Sequence, residues 1–290
     1  MSLALFALFG IVAGANAAGI VEYGLKADSP VLGRPIPYAA YKPFPHPAEG
    51  ERWPVVYLLH GLTGKDRDWF TWGNLGPILD QAIADGRIPP LIVVAPGFGD
   101  SWYVDNPDPG GYGRVDTALA TDLVHAVDYR FPTAACRFGR AVGGLSMGGA
   151  GAVLQGLNHP DTYVAVMSLS GALHQPLAQD DPRLRWIPSL YRNVFGDPFD
   201  RERFNAANAF NRVGKLRMAS QRPAFYLTIG DQDYPDLIEA SALFHNKLRE
   251  LGIDTTLRIG KGGHFWDTWQ QAIIPALEWL APKLDRTCAR

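Results

Sequence analysis

The sequence has no concentration of positive charge. Its 290 residues contain 27 Lys and Arg and 29 Asp and Glu, so the formal net charge is −2, and basic residues nowhere form a run. A nucleic-acid-binding surface needs clustered basic side chains that neutralise phosphates. The composition therefore argues against a nucleic-acid partner, while a hydrophobic share of 47% is typical of a globular protein with a large core.

Cysteine is also scarce, and metal-binding patterns are lacking. The two cysteines, Cys136 and Cys288, fit neither a CxxC motif nor a zinc-ligand spacing. No other pattern in the sequence indicates a metal ion or an organic cofactor, and we expect neither. The two thiols could pair in an oxidising compartment, but the sequence favours two free cysteines.

Long hydrophobic runs are lacking as well. An apolar run at residues 3–15 is too short to cross a bilayer comfortably, so we expect no stable membrane span. It ends in Ala15-Asn16-Ala17, the small-residue pattern of a signal-peptide cleavage site, although no Lys or Arg precedes it. We therefore predict a signal peptide over residues 1–17, a single domain over residues 18–290, and a secreted or periplasmic protein.

Short apolar runs that end in turns are abundant, and they predict buried β-strands. Six such runs cover residues 55–59, 91–95, 140–144, 164–170, 225–229 and 255–259. Segments with helical spacing lie between them, at residues 115–131 and 236–251. This alternation predicts an α/β protein with a mostly parallel central sheet and helices on both faces. Ligands bind at the carboxyl ends of strands in such sheets.

Two segments fit this alternation less well. Residues 36–54 are interpreted as an edge strand followed by a proline-rich turn. Residues 172–223 contain scattered Pro, Asp, Arg and Asn with only short helical patterns. We interpret that stretch as an insertion or cap over the functional site.

A glycine-rich turn follows the predicted strand at residues 140–144. It reads Gly144-Leu145-Ser146-Met147-Gly148, the G-x-S-x-G pattern in which a serine occupies a strained strand-to-helix turn. Glycine on both sides avoids clashes with the neighbouring strand and helix, and the amino end of that helix favours a developing negative charge. The pattern predicts that Ser146 is a nucleophile.

A second glycine-bearing turn, His60-Gly61-Leu62-Thr63-Gly64, follows the strand at residues 55–59. It can present the Leu62 N–H toward the serine, and the Met147 N–H would be the second donor of an oxyanion hole. His60 directly follows the strand, which suits a structural turn residue better than a catalytic base.

The remaining candidate groups follow the last two predicted strands. Asp231 and Asp233 follow the strand at residues 225–229, and His264 lies on the glycine-rich loop after residues 255–259. The chain order Ser, Asp, His is the one used with the G-x-S-x-G turn. We predict His264 as the base and Asp233 as the acid, because at that position the loop has cleared the strand end. Asp231 remains an alternative.

The segment at residues 97–105, GFGDSWYVD, contains a rival serine in a Gly-Asp-Ser motif. The esterase class that uses such a motif also has Asp-x-x-His late in the chain, which this sequence lacks. We interpret the segment as a loop lining the pocket. Trp102 and Tyr103, and also Trp266 beside the predicted base, are candidate substrate contacts, with core packing as the alternative for these aromatic side chains.

Six segments together resemble the esterase D family of α/β-hydrolases, which includes feruloyl and acetylxylan esterases, S-formylglutathione hydrolases and mycolyltransferases. They are LLHGLTG, GDSWYVDNP, GGLSMGG, NVFGDPFD, GDQDY and GGHFWDTW, in the family's order over roughly residues 30–283. The resemblance implies an α/β-hydrolase fold, with Ser146, Asp233 and His264 as nucleophile, acid and base. It also implies the Leu62 and Met147 amides as the oxyanion hole.

The resemblance implies a serine carboxylesterase that hydrolyses short-chain or phenolic esters, of feruloyl or acetyl type, through an acyl-enzyme on Ser146. Its expected partner is a small-molecule or glycan-linked ester. The alternatives are an acyltransferase of the mycolyltransferase type and an S-formylglutathione hydrolase-like thioesterase, although GLTGKDRDW stands where the latter has a cysteine-containing segment. A catalytically inactive binding module is disfavoured, because serine, acid, histidine and oxyanion glycine are all present.

Overall fold

The computed structural model of the protein describes residues 18–44 and 47–288. The predicted signal peptide over residues 1–17 lies outside the described residues. Within them, an eight-stranded sheet extends from the first strand to the last, and a separate two-stranded ribbon lies in a loop.

The strands, in chain order, are β1 (Ile20–Ala27), β2 (Ile36–Lys42), β3 (Val55–Leu59), β4 (Ile92–Pro96), β5 (Asp105–Asn106), β6 (Gly113–Arg114), β7 (Arg140–Leu145), β8 (Ala165–Leu169), β9 (Ala224–Gly230) and β10 (Thr255–Gly260). The large sheet has the order β1-β2-β4-β3-β7-β8-β9-β10, and β5 pairs with β6. From β4 to β10 all neighbours in the large sheet are parallel. All six strands predicted from apolar runs are present, so the mostly parallel sheet is confirmed.

The helices, in chain order, are α1 (Asp68–Thr71), α2 (Leu75–Ala84), α3 (Val115–Ala118), α4 (Val124–Arg130), α5 (Met147–Asn158), α6 (Ile187–Leu190), α7 (Arg201–Ala207), α8 (Ala209–Arg212), α9 (Pro235–Glu250) and α10 (Trp266–Leu280). A π-helical turn at Leu119–Leu123 joins α3 to α4, and four 3₁₀ segments cover Arg137–Gly139, Pro182–Arg185, Val213–Arg217 and Ala281–Lys283.

The helices cover both faces of the sheet, as predicted. Strand β3 shows why, because all five of its residues are buried. Its odd-numbered side chains, from Val55 to Leu59, pack in one core with α3–α9, whereas Val56 and Leu58 pack in a second core with α1, α2 and α10. A strand buried on both faces requires a continuous apolar sequence rather than an alternating one.

The long helix α9 illustrates how local signals fix an element. Pro235 occupies its first turn, where no intrahelical donor is lost, and Lys247 and Arg249 lie in its last turn. The chain then leaves through Gly252, which has a φ of +66°. The helical stripe predicted for residues 236–251 is therefore confirmed.

The prediction of an edge strand in residues 36–54 was wrong in one respect. Strand β2 is interior, because it pairs with β4 on one side and with β1 on the other, antiparallel to both. The true edge is β1, whose pairing with β2 is interrupted by a register shift between Glu22 and Leu25. This irregularity breaks the apolar alternation that would have indicated a strand.

The predicted insertion at residues 172–223 occupies the connection from β8 to β9 and contains α6, α7 and α8. Its helices are short, but Ile187, Phe204 and Phe210 are buried in the core shared with α5 and α9. The segment is therefore packed against the body of the protein. It also supplies one wall of the functional cavity described below.

Cys136 and Cys288 form a disulfide, with their Cα atoms 5.9 Å apart, so the expectation of two free thiols was wrong. The two residues are separated by 152 positions in the chain, and only the folded chain brings them together. The segment before Cys288 lies against the 3₁₀ turn after Cys136, where the Asp285 N–H donates to the Phe138 carbonyl over 2.9 Å.

Membrane-spanning helices are not found in the described part of the chain, since none of its helices is sufficiently long and apolar.

Candidate active site

Ser146 occupies a sharp turn between β7 and α5. Its backbone has φ 54° and ψ −120°, a conformation that costs free energy for any residue with a Cβ and is typical of functional turns. Hydrogen bonds hold the turn: the Ser146 N–H donates to the Leu169 carbonyl over 2.9 Å, and the Ser146 carbonyl accepts from Ala172 over 3.0 Å. The side chain is thereby fixed at the carboxyl end of the sheet.

Glycines allow the turn to pack this closely. A Cβ at Gly148 would lie 2.6 Å from the His60 carbonyl oxygen and closer still to that of Leu59, and a Cβ at Gly144 would lie 2.9 Å from the Leu59 side chain. All three contacts are shorter than real Cβ atoms tolerate. The helix and strand therefore approach each other only because both positions are glycine.

His264 lies next to the serine. Its Nε2 is 2.8 Å from Ser146 Oγ, and its Nδ1 is 2.8 Å from Asp233 Oδ1. An ionised carboxylate can only accept, so Nδ1 carries the proton and Nε2 is left to accept from the serine hydroxyl. The structure thus brings the predicted nucleophile, base and acid into one hydrogen-bonded chain.

The Asp233 carboxylate is fully buried. Burial raises the pKa of Asp233, but the hydrogen bond to His264, the nearby Ser170 hydroxyl, the proximity of the imidazole, and the Tyr234 N–H lower it by more. The net pKa lies below its ordinary value, so the group is charged at neutral pH. A buried carboxylate of this kind stabilises an imidazolium formed on His264.

Asp231 points elsewhere. Its Oδ1 accepts from the Gly262 N–H over 3.0 Å, and its own N–H donates to the Gly260 carbonyl over 2.8 Å. These bonds tie the loop after β9 to the loop that carries the histidine. Of the two aspartates left open by the sequence, Asp233 faces His264 and Asp231 braces its loop.

The two predicted oxyanion donors border the same cavity as Ser146. Met147 is the first residue of α5, where N–H groups have no intrahelical acceptor. A Cβ at Gly61 would lie 3.5 Å from the Ser146 Cβ, so the turn that carries Leu62 lies against the serine. Both residues therefore lie on the cavity wall close to Ser146.

His60 has a structural role, as interpreted from the sequence. Its Nδ1 lies 2.8 Å from the Gly61 carbonyl, and its Nε2 lies 3.4 Å from the Phe98 N–H. Burial lowers its pKa. Neither of these hydrogen bonds involves Ser146 or Asp233.

The hydrogen-bonded chain opens into a cavity of about 840 Å³, large enough for a drug-sized molecule. Aromatic side chains dominate its walls, namely Trp72, Trp102, Trp186, Tyr234, Trp266 and Trp269. Charged side chains also line it, namely Asp68, Arg183 and Asp236. Flat apolar walls with a few polar groups suit an organic ester that carries a ring or a short chain.

The three predicted substrate contacts have different outcomes. Trp102 and Trp266 line the cavity, and Trp102 is held by a 2.9 Å hydrogen bond from its Nε1 to the Leu190 carbonyl. Tyr103 does not line it, so that prediction was wrong. Tyr103 is 0% exposed, its hydroxyl donates to the His60 carbonyl over 3.0 Å, and its ring fills the space left by Gly151.

The sequence did not predict which side chains of the segment 172–223 line the cavity. Trp186, Arg183 and His174 all line it. His174 lies in irregular chain a few residues beyond β8, and Arg183 and Trp186 lie in and next to a short 3₁₀ segment, so none of them has the glycine-rich turn pattern of the other loops. His174 packs against the rings of Trp102 and Trp186. Burial lowers its pKa to about 4, so it is neutral at pH 7.

The comparisons with known proteins agree with this geometry. Residues 29–280 match the sequence model of the Esterase family, described as "Putative esterase". The chain is 28% identical to an acetyl esterase of Caldicellulosiruptor saccharolyticus over 254 residues, which covers 84% of this chain and 89% of the relative.

Mycobacterial proteins are also similar. An esterase of Mycobacterium tuberculosis is 34% identical over 236 residues, covering 74% of this chain and 49% of the relative. A diacylglycerol acyltransferase/mycolyltransferase of Mycolicibacterium smegmatis is 32% identical, with 68% of this chain and 58% of the relative covered. The chain thus spans about half the length of these longer relatives.

Solved structures share the fold. A ferulic acid esterase has a TM-score of 0.72 at 24% identity, covering 92% of this chain and 98% of the other. An S-formylglutathione hydrolase of Staphylococcus aureus has a TM-score of 0.72 at 20% identity, covering 91% and 98%. At these identities the likeness establishes the α/β-hydrolase fold.

Proposed function

The chain belongs to the Esterase family of carboxylic-ester hydrolases, and on that premise we propose that it cleaves short-chain or phenolic esters through an acyl-enzyme on Ser146. The observation that carries the proposal is the chain of two 2.8 Å contacts from Ser146 Oγ through His264 to Asp233, at the floor of an aromatic cavity.

In the first half-reaction, Ser146 Oγ attacks the ester carbonyl and its proton passes to His264 Nε2. Asp233 holds the imidazole in the required tautomer and stabilises the imidazolium. The Leu62 and Met147 amides donate to the oxyanion, and the amino end of α5 adds its positive potential. Collapse of the tetrahedral intermediate expels the alcohol, which takes the proton from His264.

In the second half-reaction, water replaces the alcohol in the cavity. His264 Nε2 takes a proton from the attacking water, and a second tetrahedral intermediate forms at the same oxyanion site. Its collapse returns the proton to Ser146 and releases the carboxylic acid. Every step uses groups of this chain together with substrate and water.

The substrate class is supported by the cavity and by two relatives. Aromatic walls such as Trp102, Trp186 and Trp266 suit a phenolic ring or a short apolar acyl chain. Similar proteins are an acetyl esterase and a bifunctional xylanase and feruloyl esterase, the latter 35% identical over 134 residues. Either substrate could be a small molecule or an ester linked to a glycan.

Acyl transfer is the second candidate activity, favoured by the similarity to a mycolyltransferase. The same three residues would form the acyl-enzyme, and a sugar hydroxyl would replace water as the acceptor. Product analysis with a carbohydrate acceptor present separates the two activities, because a transferase yields a new ester where a hydrolase yields free acid.

The proposal is tested by hydrolysis of p-nitrophenyl acetate, butyrate and octanoate and of methyl ferulate, each with the wild-type protein and with Ser146→Ala. We expect turnover of at least one ester, reduced about a thousandfold or more by the substitution. Preference for methyl ferulate would identify a phenolic-ester site, and preference for acetate a short-chain site. Equal turnover in the variant would contradict Ser146 as nucleophile.

A secreted or periplasmic location is also part of this proposal. The Cys136–Cys288 disulfide supports it, because such bonds persist in oxidising compartments. The sequence pattern at residues 1–17 supports it as well. Amino-terminal sequencing of the protein recovered from the medium or periplasm is expected to begin at Ala18, and recovery from the cytoplasm with residues 1–17 intact would contradict it.

A further inference from the structure

Ser170 stands directly beyond β8, beside the strand that leads to the triad acid. Leu169 pairs with Thr228 of β9, and the Ser170 N–H then donates to the Thr228 carbonyl over 2.7 Å. Ser170 has a φ of +47°, which is costly for a residue with a Cβ and persists only where surrounding contacts enforce it. The backbone of Ser170 is therefore held in one conformation, and the residue is 1% exposed.

Only one of the two oxygens of the Asp233 carboxylate makes regular hydrogen bonds to the described residues. Its Oδ1 lies 2.8 Å from His264 Nδ1 and accepts from the Tyr234 N–H over 2.7 Å. Its Oδ2 is buried and, within residues 18–44 and 47–288, has no hydrogen bond of regular geometry. A buried carboxylate oxygen without a donor loses the stabilisation that water would supply.

Ser170 Oγ is a hydroxyl that could supply the donor that Asp233 Oδ2 lacks. It too is buried and makes no hydrogen bond of regular geometry to any described residue. Nevertheless the hydroxyl lies close enough to Asp233 to lower the pKa of that carboxyl. A hydrogen bond from this hydroxyl would satisfy the unpaired carboxylate oxygen.

We propose that Ser170 is a positioning residue for the triad, whose hydroxyl donates to Asp233 Oδ2 and fixes the carboxylate so that Oδ1 faces His264. The inference rests on the proposed function, since it concerns the same histidine and acid. Ser170 is not among the residues that line the substrate cavity, so it acts on the reaction through Asp233 and not through the substrate.

Loss of this hydroxyl has two expected consequences. The carboxylate gains rotational freedom, so fewer molecules hold His264 in the productive orientation and kcat falls. The carboxylate charge is also less neutralised, which strengthens its attraction for the imidazolium and moves the acidic limb of the pH–rate profile to higher pH. KM is expected to stay unchanged, because no cavity contact is lost.

The pH profile depends on the other titratable groups around the histidine, and all of them stay in place in the variants. On the histidine's own side these are Asp233 and Tyr234, whose ring centre lies 5.2 Å from that of His264. Across the cavity the charged or titratable lining groups are Asp68, His174, Arg183 and Asp236.

The test compares Ser170→Ala and Ser170→Gly with the control Ser168→Ala. Glycine suits the positive φ whereas alanine does not, so the pair separates loss of the hydroxyl from backbone strain. Ser168 is also a buried serine of β8 whose Oγ has no regular partner, but it packs against Gly149 and Gly171. It therefore matches Ser170 in burial and in the lack of a regular partner, but it is not among the groups that act on Asp233.

We expect both Ser170 variants to lose kcat by about ten- to a hundredfold, with KM unchanged and the acidic limb shifted upward, while Ser168→Ala keeps the wild-type values. Wild-type kcat and pH profile in both Ser170 variants would overturn the proposal. So would an equal loss in Ser168→Ala, or a loss in Ser170→Ala that Ser170→Gly does not share.

A measurement without substrate keeps this proposal separate from the proposed function. The His264 Nδ1 proton, shared with Asp233, is expected to give a downfield proton NMR resonance that disappears in His264→Ala. It should shift in both Ser170 variants and stay in place in Ser168→Ala. An unshifted resonance in the Ser170 variants would overturn the positioning role, whether or not the wild-type protein turns over any ester.

Discussion

Asp231 and Asp233 lie two residues apart on one loop, yet their carboxylates do different work. Asp233 Oδ1 is 2.8 Å from His264 Nδ1, whereas Asp231 Oδ1 accepts from the backbone N–H of Gly262, two residues before that histidine. One carboxylate therefore acts on the imidazole, and the other holds the loop that carries it.

This difference between the two carboxylates predicts that two matched substitutions will change kcat by very different amounts. Asp233→Asn keeps the shape but favours the wrong imidazole tautomer, so kcat should fall by about 10⁴-fold. Asp231→Asn keeps an oxygen able to accept from Gly262, so kcat should stay within about tenfold of wild type. Steady-state kinetics of both variants on one ester decides the matter, and a larger loss in Asp231→Asn would reverse the assignment.

The tight packing of the serine turn predicts a large cost for Gly148→Ala. The added Cβ would meet the carbonyl oxygens of Leu59 and His60, so the turn and the adjacent oxyanion donors must move. We expect a loss of about 1–3 kcal/mol in the free energy of unfolding and of about a hundredfold in kcat.

Gly214→Ala is the control for that substitution. Nothing lies within 4 Å of a Cβ at this position, and its φ is not positive. We expect unchanged kcat and equal or slightly higher stability. Thermal denaturation and kinetics of both variants provide the comparison. Wild-type stability and kcat in Gly148→Ala would contradict the close packing of the serine turn.

His174 predicts a pH dependence of stability. Burial lowers its folded-state pKa from 6.5 to about 4, so between these values the unfolded chain binds the extra proton and the folded protein does not. The free energy of unfolding contributed by this group therefore falls as pH decreases from about 6.5 to about 4. Between pH 7 and pH 5 the loss should be about 2 kcal/mol.

Urea denaturation at both pH values, with wild type, His174→Gln and His125→Gln, measures this contribution. His125 lies on α4 and is exposed, so its variant should keep the wild-type difference between pH 7 and pH 5. His174→Gln should show a difference smaller by about 2 kcal/mol. An identical pH dependence in all three proteins would mean that His174 is protonated as readily in the folded state as in the unfolded chain.

The disulfide predicts a change in stability without a change in chemistry. Replacement of Cys136 and Cys288 by serine together opens a link across 152 positions and should lower the free energy of unfolding by about 2–4 kcal/mol. Cys136 precedes β7, whereas Ser146 follows it, so the two lie at opposite ends of the strand. Denaturation curves should therefore show lower stability while kcat stays at the wild-type value. A loss of kcat at unchanged stability would contradict this account.

Much of the site could be predicted because its loops follow continuous apolar strands. The runs before His60, Ser146 and Asp233 lie in strands that are buried on both faces, whereas the run before His264 is the partly exposed edge strand β10. Parallel strands bring all four carboxyl ends to one edge. The choice between Asp231 and Asp233 needed the structure, because both lie on the same turn. Only their positions relative to the histidine loop show which carboxylate contacts His264.

Other features depend on contacts that leave no local pattern. Trp186 and His174 reach the cavity from irregular chain, and Tyr103 turns into the core because Gly151 leaves room for its ring. Cys136 meets Cys288 only after the carboxyl-terminal segment folds back. Each of these outcomes is decided by tertiary packing rather than by the residues next to it in the sequence.

The central claim is that Ser146 is the nucleophile of this hydrolase, and covalent labelling tests it most directly. The protein is incubated with diethyl p-nitrophenyl phosphate, which phosphorylates activated serines, and the modified peptide is identified by mass spectrometry. The account predicts release of about one p-nitrophenol per chain, with the diethylphosphoryl group on Ser146 and no labelling of Ser146→Ala. Labelling of another residue, or ester hydrolysis that persists with Ser146 unmodified, would contradict it.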